Sequence, residues 1–223
     1  MNNERKVYPL YAGGEFTSSS ARLNVICPYD RRPVADTFLA DEEILEHSIR
    51  RALAAGQELA KMPAYARYEV LMQIAEKMQA RKAELARLLS MEAAKPLRYA
   101  ASEIQRACAT FIAAAEEAKR PAMEYIRLDW EPSGKGKEGL VKHFPIGLVA
   151  GISPFNFPMN LAVHKIAPAI ACGCPIILKP ARSTPLSTLE LARIIDGTGL
   201  PQGALSVLPM NRETGNRLVT DER

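Results

Sequence analysis

The sequence predicts an α/β protein in which N-terminal strands and helices lead into a doubly wound, Rossmann-like parallel sheet. Three observations support this prediction. The first forty residues are rich in turn signals, long helical patterns run from Asp41 to Lys119, and short apolar strands alternate with helices after residue 146. Such alternation is typical of parallel sheets covered on both faces. At 223 residues, 48% of them hydrophobic, the chain can bury the core of one or two domains.

The N-terminal half divides into strands and then helices. Turn signals such as Gly13-Gly14 separate short apolar runs in the first forty residues, which predicts short strands. At Asp41 the apolar period becomes helical, and the aspartate can cap the first turn. A second helix is predicted over 64–95, because Pro96 disfavours helical geometry in the residue before it. A third is predicted over 97–119.

The C-terminal half is predicted to begin with a two-stranded hairpin, or arm, at 123–146. Strand, helix, strand, helix and strand follow, at 146–152, 158–172, 175–179, 185–196 and 204–208. We therefore divide the chain into 1–122, the N-terminal part of a cofactor-binding domain; 123–146, the arm; and 147–223, an incomplete Rossmann-like β-α-β-α-β segment.

Composition excludes several classes of partner. Lys plus Arg exceeds Asp plus Glu by only four (29 against 25), and the charges alternate, so no nucleic-acid footprint is expected. No apolar stretch reaches the roughly 18 residues that a membrane span needs. We predict a cytoplasmic protein without a membrane partner.

The four cysteines suit reduced core thiols. The one Cys172-Gly173-Cys174 pair is too weak a signal for a metal site.

One glycine motif is misleading. Residues 134–139 match GxGxxG, but a dinucleotide site needs a preceding buried strand and a following helix. Here Glu131-Pro132-Ser133 precedes the motif, and the β-prone Leu140-Val141 follows it. We interpret the motif as a hairpin turn.

The segment 151–158 is more informative, because it joins a buried strand to a helix. Ligands of open α/β sheets bind at the carboxyl ends of the strands. Asn156 there offers a side-chain N–H that could stabilise an oxygen gaining negative charge in a transition state. The alternative is an asparagine that only caps the helix.

The next strand ends with Lys179, and Arg182 follows three residues later. A lysine in that position can reach ribose hydroxyls or phosphate, and arginine adds a fork-shaped donor. The alternative is a pair of solvated cations at the end of a strand.

Several motifs, in order, resemble the aldehyde dehydrogenase superfamily. They include Pro154-Phe155-Asn156-Phe157-Pro158, Lys179-Pro180 and Thr184-Pro185, and upstream Glu92-Ala93-Ala94-Lys95-Pro96. The phrase at 154–161 is most similar to the branch containing lactaldehyde and non-phosphorylating glyceraldehyde-3-phosphate dehydrogenases.

The resemblance implies roles for individual residues. Asn156 matches the asparagine that helps hold the oxyanion of the catalytic intermediate, and Lys179 matches a lysine that binds the adenosine ribose. Arg182 stands where NAD-preferring members often carry a glutamate, so either NAD or NADP is expected as the cofactor. The predicted cofactor-binding residues are Ile152, Ser153, Pro154, Phe155, Lys179, Ala181 and Arg182.

The resemblance also implies a reaction, the oxidation of a small-molecule aldehyde to a carboxylic acid, and a homo-oligomer (dimer or tetramer) of the full-length form, assembled through the arm. The sequence stops at Arg223, before the position of the family's catalytic glutamate and cysteine, so we expect the chain alone to be inactive. Two alternatives are a part of an acyl-CoA or acyl-phosphate reductase of the same fold and a non-catalytic nucleotide-binding or assembly module.

Overall fold

The computed structural model describes residues 5–120 and 122–223, which contain nine strands and seven α-helices. The strands are β1 (Leu10–Ala12), β2 (Glu15–Thr17), β3 (Arg22–Ile26), β4 (Pro33–Phe38), β5 (Met123–Arg127), β6 (Glu138–Lys142), β7 (Val149–Ile152), β8 (Ile176–Lys179) and β9 (Leu205–Val207). The helices are α1 (Glu42–Lys61), α2 (Ala64–Ala80), α3 (Lys82–Ala93), α4 (Leu97–Ala118), α5 (Pro158–Ala171), α6 (Leu186–Asp196) and α7 (Arg212–Thr220).

The main sheet has the strand order β2-β1-β9-β8-β7. Strands β7, β8 and β9 are parallel and are joined by α5 and α6, which confirms the predicted β-α-β-α-β segment. The N-terminal hairpin β1-β2 extends this sheet, and β1 runs antiparallel to β9. The sheet is therefore parallel at one edge and antiparallel at the other. The division of the chain at residues 122 and 146 stays a prediction.

Helices cover both faces of the sheet, as the doubly wound class requires. Side chains alternate along a strand, so Ile176 and Leu178 pack in the core under α2, α4, α5 and α6, whereas Ile177 packs on the other face with α1 and α7. Both cores are apolar and closely packed, and this burial is the main favourable contribution to folding. This first face is the thicker one, because α3 also contributes side chains to its core.

The predicted helices are confirmed with one correction. Asp41 caps α1 by accepting a hydrogen bond from the Ile44 amide at 2.9 Å. The single helix predicted over 64–95 is wrong, because the chain breaks at Arg81 into α2 and α3. The Arg81 guanidinium binds Glu84 at 2.6 Å and the buried Glu190 of α6 at 2.5 Å. The apolar period runs on through this break, so the sequence pattern could not reveal it.

The predicted arm is a hairpin of β5 and β6, in antiparallel register from Met123 opposite Lys142 to Arg127 opposite Glu138. The GxGxxG motif lies on the connection between these strands and in β6. It does not join a buried strand to a helix, which confirms that it is a hairpin feature.

The cysteines correct one expectation. All four are free thiols. Cys108 and Cys174 are buried as predicted, but Cys27 is half-buried and Cys172 is exposed, because Cys172 follows the last turn of α5.

Within residues 5–120 and 122–223, no cluster of three metal-ligating side chains occurs. No helix in this described part of the chain is long and apolar enough to cross a membrane.

Candidate functional site

The fold brings the two predicted motifs together at the carboxyl edge of the sheet. Ile152 and Lys179 are paired in the parallel register of β7 and β8. The Ser153 amide then donates a hydrogen bond to the Lys179 carbonyl oxygen at 3.1 Å. The residues that follow β7 therefore lie beside those that follow β8, at the edge where ligands of open α/β sheets bind.

The loop after β7 differs sharply in exposure along its length. Ser153 is only 3% exposed, and its hydroxyl has no hydrogen-bond partner among the described residues. Pro154, Phe155 and Asn156 are exposed, with 66% of Phe155 open to solvent. A buried hydroxyl without a partner is costly, so Ser153 offers a donor and acceptor to a ligand at this edge.

Lys179 is half-buried, and its side chain runs across α7. A Cβ atom placed on Gly215 would lie 2.8 Å from Cε of Lys179, so the glycine makes room for the lysine stem. Burial lowers the pKa of Lys179, and the nearby positive charge of Arg182 lowers it further. Ala181 is half-buried and Arg182 is exposed. In the described part of the chain, neither Lys179 nor Arg182 forms an ion pair with a carboxylate, so both charges are open to an anion.

Asn156 does not cap α5. The alternative interpretation, in which this asparagine only caps the helix, is therefore wrong. The N-cap is Phe157, whose side chain makes no capping hydrogen bond. The first free amides of the helix, those of Met159 and Asn160, donate instead to Oε1 of Glu103 at 3.0 and 3.1 Å. The Asn156 side chain forms no hydrogen bond within the described residues, and its amide is free to donate to a ligand.

Lys95 connects Glu103 to the Asn156 loop. Its ammonium group forms an ion pair with Glu103 and donates a hydrogen bond to the Asn156 carbonyl oxygen at 2.9 Å. The same Nζ lies 4.2 Å from the centroid of the Phe157 ring, within the range of a cation–π contact.

The α6 helix is capped in the same way by Glu92 of α3. Its two carboxylate oxygens accept hydrogen bonds from the amides of Leu186 at 2.7 Å and Ser187 at 3.0 Å. Glu92 is fully buried, and desolvation raises its pKa to about 7 against the opposing effect of these amide hydrogen bonds.

Sequence analysis missed both capping glutamates, although a signal was present. Glu92 continues the apolar face of Leu85, Leu88 and Leu89, seven residues after Leu85. Glu103 lies on the buried face of α4 between Ala100 and Ala107. An acidic residue at an apolar position of the helical period indicates a buried carboxylate, which must then have donors nearby.

A cavity of about 1060 Å³ lies between α4, the second half of α5 and residues 143–145. Its lining includes the basic side chains of Arg67, Arg106 and Arg120 and two histidines, His143 and His164. Arg67 donates to two backbone carbonyls, and Arg120 pairs with Glu117 at 2.8 Å. Arg106 has no carboxylate partner in the described residues, and its Cζ lies 5.7 Å from the centroid of the Phe157 ring.

A parallel sheet with helices on both faces and polar groups at its carboxyl edge defines a doubly wound α/β protein. The aldehyde dehydrogenase family model matches residues 16–223, and the chain belongs to that family. It is 36% identical over 205 residues to 3-sulfolactaldehyde dehydrogenase of Priestia megaterium, covering 91% of this chain and 42% of the relative.

Two solved structures show the same architecture. Aldehyde dehydrogenase 21 of Physcomitrella patens, in complex with its reaction product succinate, has a TM-score of 0.95 and 40% identity, covering 98% of this chain and 46% of that one. The NADP-dependent glyceraldehyde-3-phosphate dehydrogenase of Bacillus halodurans, complexed with NADP, has a TM-score of 0.94 and 28% identity, covering 98% and 47%.

These comparisons confirm the family resemblance and the fold. The sulfolactaldehyde and glyceraldehyde-3-phosphate enzymes agree with the branch that the sequence indicated. The chain spans less than half the length of the relatives it matches. The roles of Asn156 and of the seven cofactor-binding residues stay predictions, although the structure places Ser153 and Lys179 side by side.

The raised pKa of Glu92 predicts a pH-dependent stability. The unfolded carboxyl group titrates near 4.5 and the folded one at about 7, so between these values the folded state holds a proton that the unfolded state has lost. The free energy of unfolding should therefore fall as the pH rises from 4.5 to 7, by up to roughly 3 kcal/mol. Glu92→Gln should remove this part of the pH dependence.

The measurement is urea unfolding of both proteins at several pH values between 4.5 and 8. The stability advantage of the parent chain over the variant should shrink as the pH rises. Parallel profiles across this range would show that Glu92 titrates normally in the folded protein.

Proposed function

We propose that this chain provides the N-terminal cofactor-binding portion of an NAD(P)-dependent oxidation of an aldehyde to a carboxylic acid. The observation that carries the proposal is the juxtaposition, at one sheet edge, of Ser153 and Lys179 with the loop that presents Asn156. The matched relatives are named as dehydrogenases, which favours aldehyde oxidation over the acyl-CoA or acyl-phosphate reduction that the sequence left open.

The residues at this edge fit a nicotinamide dinucleotide, which would accept hydride from the substrate when bound. Lys179 and the buried Ser153 hydroxyl would bind the hydroxyl groups of its adenosine ribose, while Ile152, Pro154 and Phe155 would lie along it. Ala181 and Arg182 follow Lys179 at the same edge. The fit is supported by the orphaned hydroxyl of Ser153 and by the two unpaired cations.

Asn156 would act on the aldehyde and not on the cofactor. Its side-chain amide is exposed and makes no hydrogen bond within the described residues, so it can donate to an oxygen that becomes negative in the transition state. Because the Asn156 carbonyl is bound by Lys95, the residue's position in the loop is defined without using its side chain.

We propose that the full-length form is a homo-oligomer assembled through the β5-β6 arm. The arm and the segment after it expose large apolar side chains, including Trp130 at 75%, Phe144 at 81% and Ile146 at 89%. Clusters of exposed aromatic and aliphatic groups of this kind mark protein–protein contacts.

The chain of 223 residues should show no aldehyde dehydrogenase turnover, because the residues that the structure describes offer no suitable nucleophile beside Asn156. Burial raises the pKa of the Cys108 thiol, and Cys172 follows α5 at roughly 20 Å from the helix start, at 1.5 Å per residue. The measurement is aldehyde-dependent formation of NADH and NADPH by the purified chain. Turnover that Asn156→Ala abolishes would contradict this expectation.

Arg182 should favour NADP over NAD, because it is an exposed guanidinium without a carboxylate partner in the described part of the chain and can pair with a 2′-phosphate. Arg182→Gln should weaken NADP binding roughly tenfold, as expected for one hydrogen bond to a charged group, and leave NAD binding unchanged.

Calorimetric titration of the chain with each dinucleotide tests the role of Arg182. Arg32→Gln, on the exposed turn between β3 and β4, is the matched control and should bind both as the parent does. Equal weak binding of NAD and NADP by the parent chain would exclude a 2′-phosphate contact at Arg182.

The guanidinium of Arg106, close to the Asn156 loop, supports an anionic aldehyde as the substrate class. Arg106 lies next to Phe157, lines the cavity and has no carboxylate partner in the described residues. The name of one relative specifies a sulfonated aldehyde, another structure holds succinate, and a third belongs to an enzyme named for a phosphorylated aldehyde. A guanidinium matches the geometry of each of these anions.

Succinate should therefore bind the chain near Arg106, and uncharged 1,4-butanediol should not. In an amide NMR titration, succinate is expected to shift the resonances of Phe157 and of residues around 106, and Arg106→Gln should abolish these shifts. Arg98→Gln is the matched control, since Arg98 is also on α4 and lies over an aromatic ring, that of Tyr99, at 4.6 Å. Equal loss of binding in both variants would exclude a specific site at Arg106.

A further inference from the structure

We propose that Lys95 and Glu103 are positioning residues that hold Asn156 in place for its role in the reaction. The inference rests on the proposed function of Asn156, but it concerns how the loop is held, which is measurable without cofactor or aldehyde. Neither residue touches the reacting atoms in this proposal. They act through the backbone on both sides of Asn156.

Glu103 fixes the C-terminal side of the loop. Its side chain is almost fully buried, and one oxygen accepts hydrogen bonds from two successive amides at the start of α5. A carboxylate also interacts favourably with the positive end of the helix dipole. The start of α5, and with it the end of the Asn156 loop, is thereby fixed to α4.

Lys95 fixes the loop itself. The hydrogen bond from its Nζ to the Asn156 carbonyl oxygen is, within the described residues, the one hydrogen bond that reaches residues 154–156. The ammonium also lies over the Phe157 ring, so it contacts two consecutive residues of the loop. Without Lys95, the loop would be held only at its two ends.

Lys95 is itself anchored. It follows Ala94, which adopts a left-handed conformation (φ 49°) at the end of α3, and its carbonyl oxygen accepts a hydrogen bond from Ser90 at 2.7 Å. The ion pair with Glu103 removes most of the freedom of its side chain, and only 15% of that side chain is exposed. A long flexible lysine is thus converted into a fixed donor aimed at the loop.

The test compares two variants of the 223-residue chain that both lack the ion pair. Glu103→Gln keeps an acceptor for the α5 amides and keeps Lys95 over the loop. The double variant Lys95→Met with Glu103→Gln removes the ammonium as well, and leaves no unpaired buried charge. The difference between them reports the contacts of Lys95 with Asn156 and Phe157.

The readout is the ¹⁵N order parameter of the Asn156 backbone amide. The parent chain should show a rigid value of roughly 0.85, Glu103→Gln should give an intermediate value because Lys95 loses the ion pair that fixes it, and the double variant should fall below roughly 0.6. Glu92→Gln, which alters the equivalent cap on α6, is the control and should leave Asn156 rigid. Amide exchange at Leu186 and Ser187 should instead accelerate in that control alone.

If the double variant does not fold, Lys95→Gln with Glu103→Gln takes its place, because the shorter glutamine keeps a polar group in the buried position and cannot make the same contact. An unchanged order parameter at Asn156 in a folded double variant would overturn the proposal. So would an equal loss of order at Asn156 in the Glu92→Gln control, since Lys95 would then contribute only to general stability.

Discussion

Two buried carboxylates hold the helical layer of this protein to its sheet. Glu103 of α4 binds the first amides of α5, and Glu92 of α3 binds those of α6. Taking a carboxylate out of water costs several kcal/mol, which must be offset by donors and charge in the interior. Amide pairs and helix dipoles offset this cost only in part at Glu92, whose pKa stays raised, and Lys95 adds a countercharge at Glu103. The strand–helix units and the helices above them are therefore fixed relative to each other.

This arrangement also determines where a dinucleotide could bind. In the usual Rossmann site, the diphosphate rests on the free amides at the first helix N-terminus. Here those amides are already bonded to Glu103 and Glu92, so they are not free to bind a phosphate. Under the proposed function, the anionic groups would be bound by Lys179 and Arg182, which form no ion pair with a carboxylate in the described part of the chain. The GxGxxG motif lies in the arm and not at this sheet edge, so the proposed site does not use a glycine-rich phosphate loop.

Sequence patterns predicted most of the fold and the sheet edge at which the candidate site lies. The period of apolar residues located the helices and the three parallel strands, and the rule that ligands bind at the carboxyl ends of strands selected Lys179 and the loop of Asn156. The break at Arg81 and both capping glutamates were missed for a common reason. Each depends on a charged side chain whose partner is distant in sequence, such as Arg81 with Glu190 or Glu92 with Leu186. Local periodicity contains no information about such partners.

The loop after β7 arranges its contacts in the order in which the proposed reaction needs them. Ser153 lies beside Lys179, on the side assigned to the cofactor. Phe157, four residues on, lies beside Arg106, the residue proposed to bind the anionic group of the aldehyde. Asn156 stands between these two sides, where an oxyanion would form when a nucleophile adds to the aldehyde carbonyl, before hydride leaves the substrate. Because Lys95 and Arg106 both lie over the same Phe157 ring, the contact that positions the oxyanion donor and the contact proposed to select the substrate share one side chain.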